Sequence, residues 1–481
     1  MRLIPIYSWT KGLHSMKLSR VNFMNQPWAS GVTLLVCVII AMLLANIPAT
    51  REFYQATLET DMSITIQSPI DPATGLRPID WTFPRGMTVE KFINDILMVI
   101  FFFTVGLEIK REVVCGELSS VKKAMLPVIA AAGGMAMPAL IYTFFNYGTI
   151  TAGGWGIPTA TDIAFAIGIL SILGDRVPIS LKIFLTALAI ADDLGAILVV
   201  AIFYGGEINF TYLLISLLLI LFVIALNQSG EKRMAYYFCP AIAIWFLFYY
   251  AGVHATMSGV VMAFLIPMNA RFKRAYLTRN LKKYLQRIIQ YDNTEGEEEV
   301  AFPNSPQRHC LRRLSYITNN TIGMSYRLEH ILNPWVNFLI MPIFALANAG
   351  VVIPDISFFN IFQALPGIEG AGFVGMGIFF GLMLGKPIGI TIASWIAIKM
   401  NVGAMPEKAT WKMLFAVACL GGIGFTMSIF VDTLSFGGLN PADTETLRSS
   451  GKIAVLLGSL TSGILGSLLI LLVNKLKSSK V

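Results

Sequence analysis

Twelve long apolar stretches dominate this sequence. A helix that crosses a bilayer needs about 20 mostly apolar residues. Only 13% of the residues are charged, against about 25% in soluble proteins, which argues against a soluble enzyme and against a disordered chain. We therefore predict an all-α polytopic membrane protein with twelve transmembrane helices, at residues 30–48, 92–109, 124–146, 155–173, 179–204, 211–227, 235–250, 252–268, 334–352, 371–398, 413–435 and 451–474.

The positive charges favour one orientation of these spans. Lysine and arginine are retained on the cytoplasmic side of membrane proteins. With a cytoplasmic N-terminus, 29 of the 36 Lys and Arg residues lie in cytoplasmic segments, six lie outside, and Lys386 lies within a span. Topology thus explains the net charge of +8 without a nucleic-acid partner.

The same alternation divides the chain into segments. We expect a cytoplasmic N-terminal segment, spans one to eight, spans nine to twelve and a cytoplasmic tail, at residues 1–29, 30–269, 334–474 and 475–481. Residues 51–90 are predicted to form an external hairpin loop. Residues 270–333 form a long basic cytoplasmic loop, predicted to be a tether with partial disorder or short amphipathic helices. A regulatory role is the alternative.

Four ionisable residues lie deep within predicted spans: Asp162, Asp192, Asp193 and Lys386. An ionisable group at this depth is costly and usually faces a cavity or a partner. Each lies about 16–20 Å along its helix from the cytoplasmic end, and half of the apolar core is about 15 Å thick. Because the depths are counted from separate helix ends, their agreement predicts a site near the membrane midplane.

The roles of these four residues are open to different extents. Asp192 and Asp193 project about 100° apart, so one can face a site while the other holds a neighbouring helix. We expect Asp193 to bind a cation directly, and Asp192 to be a second ligand or half of a structural pair. Asp162 either binds the ion or satisfies helix ends, and Lys386 either carries a proton or neutralises an aspartate. Two such carboxylates should titrate as a coupled pair, and they need no cofactor.

Helix-breaking residues interrupt two spans near this depth. The fourth contains Gly156, Pro158 and the string TATD ending at Asp162, and the eleventh contains CLGGIGFT at 419–426. Interrupted spans in both halves of a transporter indicate a midplane site built from unwound backbone. Asp162 and Lys386 could compensate the partial charges of the half-helix ends. Helix packing through small residues is the alternative.

A second group of charges is predicted at cytoplasmic helix ends: Asp95, Glu108, Glu112, Glu329 and His330. A mixed-charge funnel attracts cations and responds to pH, because histidine titrates near 6.5. Charges that merely anchor helices are the alternative. His254 is predicted to be a hydrogen-bonded histidine rather than an ion ligand.

Several strings resemble one family closely. Between about Asn25 and Val473, the chain resembles the NhaA-type sodium/proton antiporters in a series of motifs with the same order and spacing. These motifs are ATDIAFAIGIL, LKIFLTALAIADDLGAI, GVHATMSGV, RLEHILNPW, GLMLGKPIGI and GIGFTMSIF. The resemblance implies two inverted units, spans three to five and ten to twelve, which cross at the broken fourth and eleventh spans. It also implies electrogenic, pH-regulated exchange of cytoplasmic sodium or lithium for external protons in a bacterial inner membrane, and a homodimer.

The resemblance also implies roles for individual residues. Asp192 and Asp193 match the family's paired ion-binding carboxylates, Thr161 and Asp162 match its crossing, and Lys386 matches its buried lysine. Positions tied to pH response are matched by Glu108, Glu112, Glu329, His330 and His254. Two departures bear on pH regulation: Asn333 stands where members commonly carry a second histidine, and the loop 270–333 looks longer than the family's connector.

Two other functions compete with sodium/proton exchange. A transporter of another substrate, such as a potassium/proton exchanger, fits the same buried charges. An intramembrane aspartyl protease needs two facing aspartates, which Asp162 with Asp192 or Asp193 could supply. However, the protease signature GxGD is absent from the sequence, and Lys386 would be a poor neighbour for a pair sharing one proton.

Overall fold

The computed structural model describes residues 26, 28–67, 80–83, 86–206, 208–270, 272, 274–292, 305–353, 361–362, 368, 370–436 and 440–478. The N-terminal segment up to residue 25, residues 68–79 of the predicted external loop and the acidic block 295–299 lie outside the described residues. The helices of the described part are α1 Ala29–Asn46, α2 Pro48–Glu59, α3 Val89–Cys115, α4 Val121–Asn146, α5 Ile163–Leu173, α6 Ile179–Phe203, α7 Phe210–Gln228, α8 Ala235–Ala251, α9 Met257–Leu265, α10 Arg274–Asp292, α11 Ser305–Thr321, α12 Met324–Asn348, α13 Val374–Lys399, α14 Trp411–Leu420, α15 Phe425–Ser435 and α16 Pro441–Ser478.

The described residues form a polytopic helical membrane protein, as the apolar stretches predicted. Nine helical segments are long and apolar enough to cross a membrane, and the bent pair α14–α15 makes a tenth. The two other predicted spans correspond to shorter helices. One is α8, an apolar helix of 17 residues. The other is α9, which is only 9 residues long because residues 252–256 before it are not helical.

Two helices begin well before their predicted spans. Helix α12 begins at Met324 rather than at residue 334, and α16 begins at Pro441 rather than at residue 451. The added turns carry charged side chains such as Glu329 and Arg448. Apolar length identifies the part of a helix that suits the bilayer core, but a helix continues through polar residues where its backbone hydrogen bonds continue.

The connection between the first two spans is partly helical and partly a hairpin. Helix α2 follows α1 directly, and the Tyr54 hydroxyl donates a hydrogen bond of 2.6 Å to the carbonyl oxygen of Leu346 in α12. Strands β1 (Ile64–Gln67) and β2 (Asp80–Phe83) then pair antiparallel.

Spans three to five and ten to twelve pack against one another. Helix α4 lies along α13 and also contacts α6, while α16 packs against α13 and α14. The backbones of α4 and α13 approach closely at Gly133, where a Cβ atom would lie 2.6 Å from the carbonyl oxygen of Gly389. Small residues permit such contacts between membrane helices. Outside this group, α3 packs on α9, α7 on α8, and α1 on α12.

Short π-helical turns interrupt three of the spans. They occupy Ile93–Leu97 in α3, Val336–Ile340 in α12 and Gly381–Gly385 in α13. Such turns often occur at functional sites because they re-aim the side chains that follow. The turn in α13 ends immediately before Lys386.

Candidate ion-binding site

The two interrupted spans contact each other where their helices break. In the fourth span, the 3₁₀ helix Ala152–Thr159 is followed by extended residues before α5. In the eleventh, α14 and α15 bend by 53°. The backbone N–H of Asp162 donates to the carbonyl oxygen of Ile423 at 2.6 Å, and the Thr161 hydroxyl donates to that of Gly421 at 2.7 Å. Each broken helix thus satisfies backbone groups that the other leaves free.

Asp162 caps two helices at once. Its Oδ1 accepts a hydrogen bond from the backbone N–H of Phe165 in the first turn of α5, at 3.2 Å. Its Oδ2 accepts from the N–H and hydroxyl of Thr426 at the start of α15, at 3.2 and 2.6 Å. Helix N-termini carry partial positive charge, so one carboxylate compensates both ends. Two roles were open for Asp162, and these contacts favour the one in which its carboxylate hydrogen-bonds the free N–H groups at helix ends.

Lys386 forms a buried ion pair with Asp192. Its Nζ donates to Asp192 Oδ2, and both side chains are almost completely buried, with exposures of 0% and 1%. The same Nζ donates to the hydroxyl of Thr161 at 2.8 Å. Lys386 therefore reaches the crossing through Thr161 and does not itself cap a helix end. The contact with Asp192 neutralises two charges that would be costly to bury singly.

Asp193, the neighbour of Asp192, faces a different environment. It is 3% exposed, and its Oδ1 has no hydrogen-bond partner among the described residues. It lines a cavity of about 250 Å³ together with Asp162, Glu108 and Asn333. The angular offset of adjacent helical residues thus separates the two aspartates, one in an ion pair and one at a cavity wall.

The cavity wall joins groups from α1, α3, α12 and both broken spans. Oxygen-bearing side chains that line it are Ser30, Thr104, Glu108, Thr161, Asp162, Asp193, Asn333, Asn337 and Thr426. Carboxylate, hydroxyl and amide oxygens suit hard cations. Two larger cavities in the described part of the chain are instead lined almost entirely by apolar side chains.

A carboxylate cluster around Arg111 adjoins this cavity. The Arg111 guanidinium lies 3.7 Å from Glu108, 3.0 Å from Glu112 and 2.6 Å from Glu329, which α12 contributes. Glu329 is 4% exposed and Arg111 is 34% exposed. Since Glu108 belongs both to the cluster and to the cavity wall, the two are continuous. The structure therefore brings together three of the residues that we assigned to the funnel.

Of the three other predicted residues, Asp95 and His254 lie apart from this cluster, and His330 follows Glu329 directly in α12. Asp95 lies 13 positions before Glu108 in α3, about 20 Å away along the helix, where its carbonyl oxygen accepts a bond from Trp245. His330 is exposed and stacks on Tyr326, at 5.7 Å between ring centroids. His254 is hydrogen-bonded to the carbonyl oxygen of Tyr204, which follows the end of α6.

Two residues at or near the site were not singled out by the sequence. Thr426 lies in the string GIGFT but appeared only as part of a helix break. Asp432 is completely buried in α15, and neither of its carboxylate oxygens has a hydrogen-bond partner among the described residues. Its position inside the predicted span 413–435 was a sufficient signal. However, Asp432 lies near residue 435, the predicted external end of that span, so it does not share the midplane depth of the other four residues.

Comparison with known proteins covers nearly the whole chain. The sequence model of the family described as Na+/H+ antiporter 1 matches residues 21–470. A protein named Na(+)/H(+) antiporter NhaA from Wolinella succinogenes is 39% identical over 472 residues, which are 98% of this chain and 97% of that protein. Proteins of the same name from Pelagibacter ubique and Escherichia coli O1:K1 / APEC are 40% and 37% identical, over 94% and 92% of this chain and 97% and 96% of their own lengths. Matches of this length confirm the resemblance carried by the sequence motifs, and the chain belongs to the Na+/H+ antiporter family.

Proposed function

We propose that this protein exchanges sodium ions for protons across the bacterial inner membrane, and that Asp193 alternately holds one or the other. The observation that carries the proposal is the carboxylate of Asp193, which lies at a cavity wall and has an oxygen without a hydrogen-bond partner in the part of the chain that the structure describes. A buried carboxylate needs a counter-charge or a proton. Because sodium and a proton satisfy the same group, binding of one displaces the other.

Lys386 acts in this proposal as a fixed counter-charge. Its ammonium is already committed to Asp192 and Thr161. The pair leaves its neighbour Asp193 as a carboxylate that is neutralised by its occupant, either a sodium ion or a proton. This arrangement supports Asp193 as the direct ligand, and Asp192 as the residue that positions Lys386 beside the crossing.

Alternating access supplies the transport step. On one side, the cavity is continuous through Glu108 with the partly exposed Arg111 cluster. Beyond Met427, buried aromatic rings from three helices pack together: Phe430 lies 5.3 Å from Phe102 and 6.4 Å from Phe344, between ring centroids. We propose that these rings close the far side while the site is open toward Arg111, and that they separate when it faces the other way.

Several finer properties belong to the same proposal. Lithium should replace sodium, because it carries the same charge and also prefers oxygen ligands. Exchange should be electrogenic: Asp193 exchanges one sodium ion for one proton, and a second carboxylate of the cavity wall, Glu108, carries a further proton. Exchange should also depend on pH through Glu108, Glu112 and Glu329. We further propose that both termini are cytoplasmic and that the protein is a homodimer. Potassium/proton exchange is the alternative that the same assay tests.

Proton movement in everted membrane vesicles, from a strain without its own antiporters, tests the proposal. After a pH gradient is built, sodium, lithium or potassium is added at a series of pH values. We expect sodium and lithium to collapse the gradient, and Asp193→Asn to abolish the collapse. Asp175→Asn, which changes an exposed carboxylate beyond the end of α5, is the control and should exchange normally. Exchange at the wild-type rate by a folded Asp193→Asn protein would falsify the assignment of Asp193 as the ion ligand. Collapse of the pH gradient with potassium alone would show that potassium, rather than sodium, is the exchanged cation.

A further inference from the structure

Helices α10 and α11 form a basic helix pair that emerges directly from the membrane bundle. The pair leaves α9, which ends at Leu265, and returns to α12, which begins at Met324. Its base is closed by a hydrogen bond of 3.1 Å from the Phe272 N–H to the carbonyl oxygen of Asn320. The pair is therefore held within a few residues of the apolar helix α9 and of the membrane-spanning helix α12.

Positive side chains line both helices. Seven exposed basic residues lie on the described part of the pair: Arg279, Lys282, Lys283, Arg287, Arg308, Arg312 and Arg313. The acidic residue within these two helices is Asp292, at the end of α10. The further acidic residues, 295 and 297–299, fall in the connection between the helices, outside the described residues. The positive charge is thus concentrated along the two helices.

Apolar side chains accompany these charges on the exposed surface. Leu281, Leu285 and Ile289 are 40%, 51% and 52% exposed, and their spacing of four residues places them in one stripe along α10. On α11, Leu311 and Tyr316 are 42% and 45% exposed. A helix that combines basic residues with an apolar stripe is suited to lie in a membrane interface, its stripe among the acyl chains and its cations at the headgroups.

We propose that the basic helix pair lies on the membrane surface and binds anionic phospholipid headgroups. Clusters of four to eight basic residues beside a membrane span attract anionic lipids. The pair has this charge, an apolar stripe that water would otherwise cover, and a fixed position beside the bilayer. A lipid surface fits the pair better than a soluble anion does, because only the lipid surface can bury the apolar stripe of α10.

Hydrogen exchange of the intact protein in lipid nanodiscs tests this proposal. We expect amides of 274–292 and 305–321 to exchange about tenfold more slowly in phosphatidylcholine with phosphatidylglycerol than in phosphatidylcholine alone. High salt should remove the difference, because it screens exposed charges. Adding inorganic phosphate to phosphatidylcholine nanodiscs should leave the exchange unchanged.

Substitutions separate headgroup binding from simple packing. The triple variant Lys282→Gln, Lys283→Gln, Arg287→Gln should lose the lipid-dependent protection. The control replaces three exposed lysines elsewhere, Lys408, Lys412 and Lys475, and should retain it. Exchange in the membrane spans of the same samples reports whether each variant is folded. Equal protection in neutral and anionic nanodiscs, or protection that survives the triple substitution, would overturn the proposal.

Discussion

Replacing Lys386 by methionine removes the charge that neutralises Asp192 while keeping most of the side-chain volume. In the wild type the two side chains are 0% and 1% exposed, so water cannot take over the role of the lysine. Breaking a buried ion pair by removing one partner costs about 3–5 kcal/mol, because the other charge stays buried and uncompensated. At 1.36 kcal/mol per factor of ten, the unfolding equilibrium should change by roughly two to four orders of magnitude.

A double-mutant cycle measures the pair itself. Asp192→Asn alone leaves a buried ammonium and should be destabilising to a similar degree. Lys386→Met combined with Asp192→Asn leaves no buried charge at either position. The double variant should therefore lose much less stability than the sum of the single variants. The free energy of unfolding can be measured in detergent micelles by denaturant titration. If the two losses simply add, the ion pair is not the source of the destabilisation and the reasoning is refuted.

The same variants distinguish a counter-charge from a proton carrier. In proteoliposomes with a potential-sensitive dye, we expect Lys386→Met protein to exchange sodium for protons electrogenically, although with reduced stability. Exchange that continues but becomes electroneutral would show that Lys386 carries a proton through the cycle. That result would refute the fixed counter-charge that we propose.

Three further substitutions test separate parts of the site. Thr426→Val removes a 2.6 Å hydrogen bond to Asp162 and should reduce the free energy of unfolding by about 1.5–3 kcal/mol, the usual value for a bond to a charged group, measured by the same titration. Gly451→Ala places a Cβ atom against the carboxylate of Asp432 and should cost about 1–3 kcal/mol through overpacking, seen as a lower melting temperature. Arg111→Gln removes the cation shared by three carboxylates and should change the pH profile of exchange in vesicles, because the cluster beside the cavity loses its positive charge.

Each of these substitutions has a control in the same chain. Thr433→Val removes a hydroxyl that donates a hydrogen bond of 2.7 Å to a carbonyl oxygen of its own helix, and this substitution should cost less stability than Thr426→Val. Gly463→Ala lies on the same helix as Gly451, but its Cβ would meet side-chain carbons at 3.4 Å, so a small effect is expected. Lys123→Gln changes a mostly exposed cation and should leave the pH profile unchanged. If a control variant and its test variant had equal effects, the role that we assign to the corresponding contact would be contradicted.

Much of the helix arrangement was predictable because a bilayer constrains a property that can be read along the sequence, the length of each apolar stretch. A span needs a minimum apolar length, so helices such as α6 and α7 could be located within a few residues. Helices α12 and α16 begin about ten residues before their predicted spans, because their polar first turns carry no such signal. The separation of Asp95 from Glu108 is a consequence of helix rise alone, and it could have been calculated from their spacing in the sequence.

The sequence by itself determined that the chain is a helical membrane protein of this family, and which ionisable groups must be buried, since burial follows from their position within apolar stretches. Only the tertiary structure decided which of these buried groups pair with each other and which face the cavity. Asp192 and Asp193 are chemically identical and adjacent, so no sequence pattern selects which one meets Lys386. That choice depends on the packing of α6 against distant parts of the chain, because the pairing joins residues 194 positions apart. Tertiary packing thus assigns Asp192 to an ion pair and leaves Asp193 at the cavity.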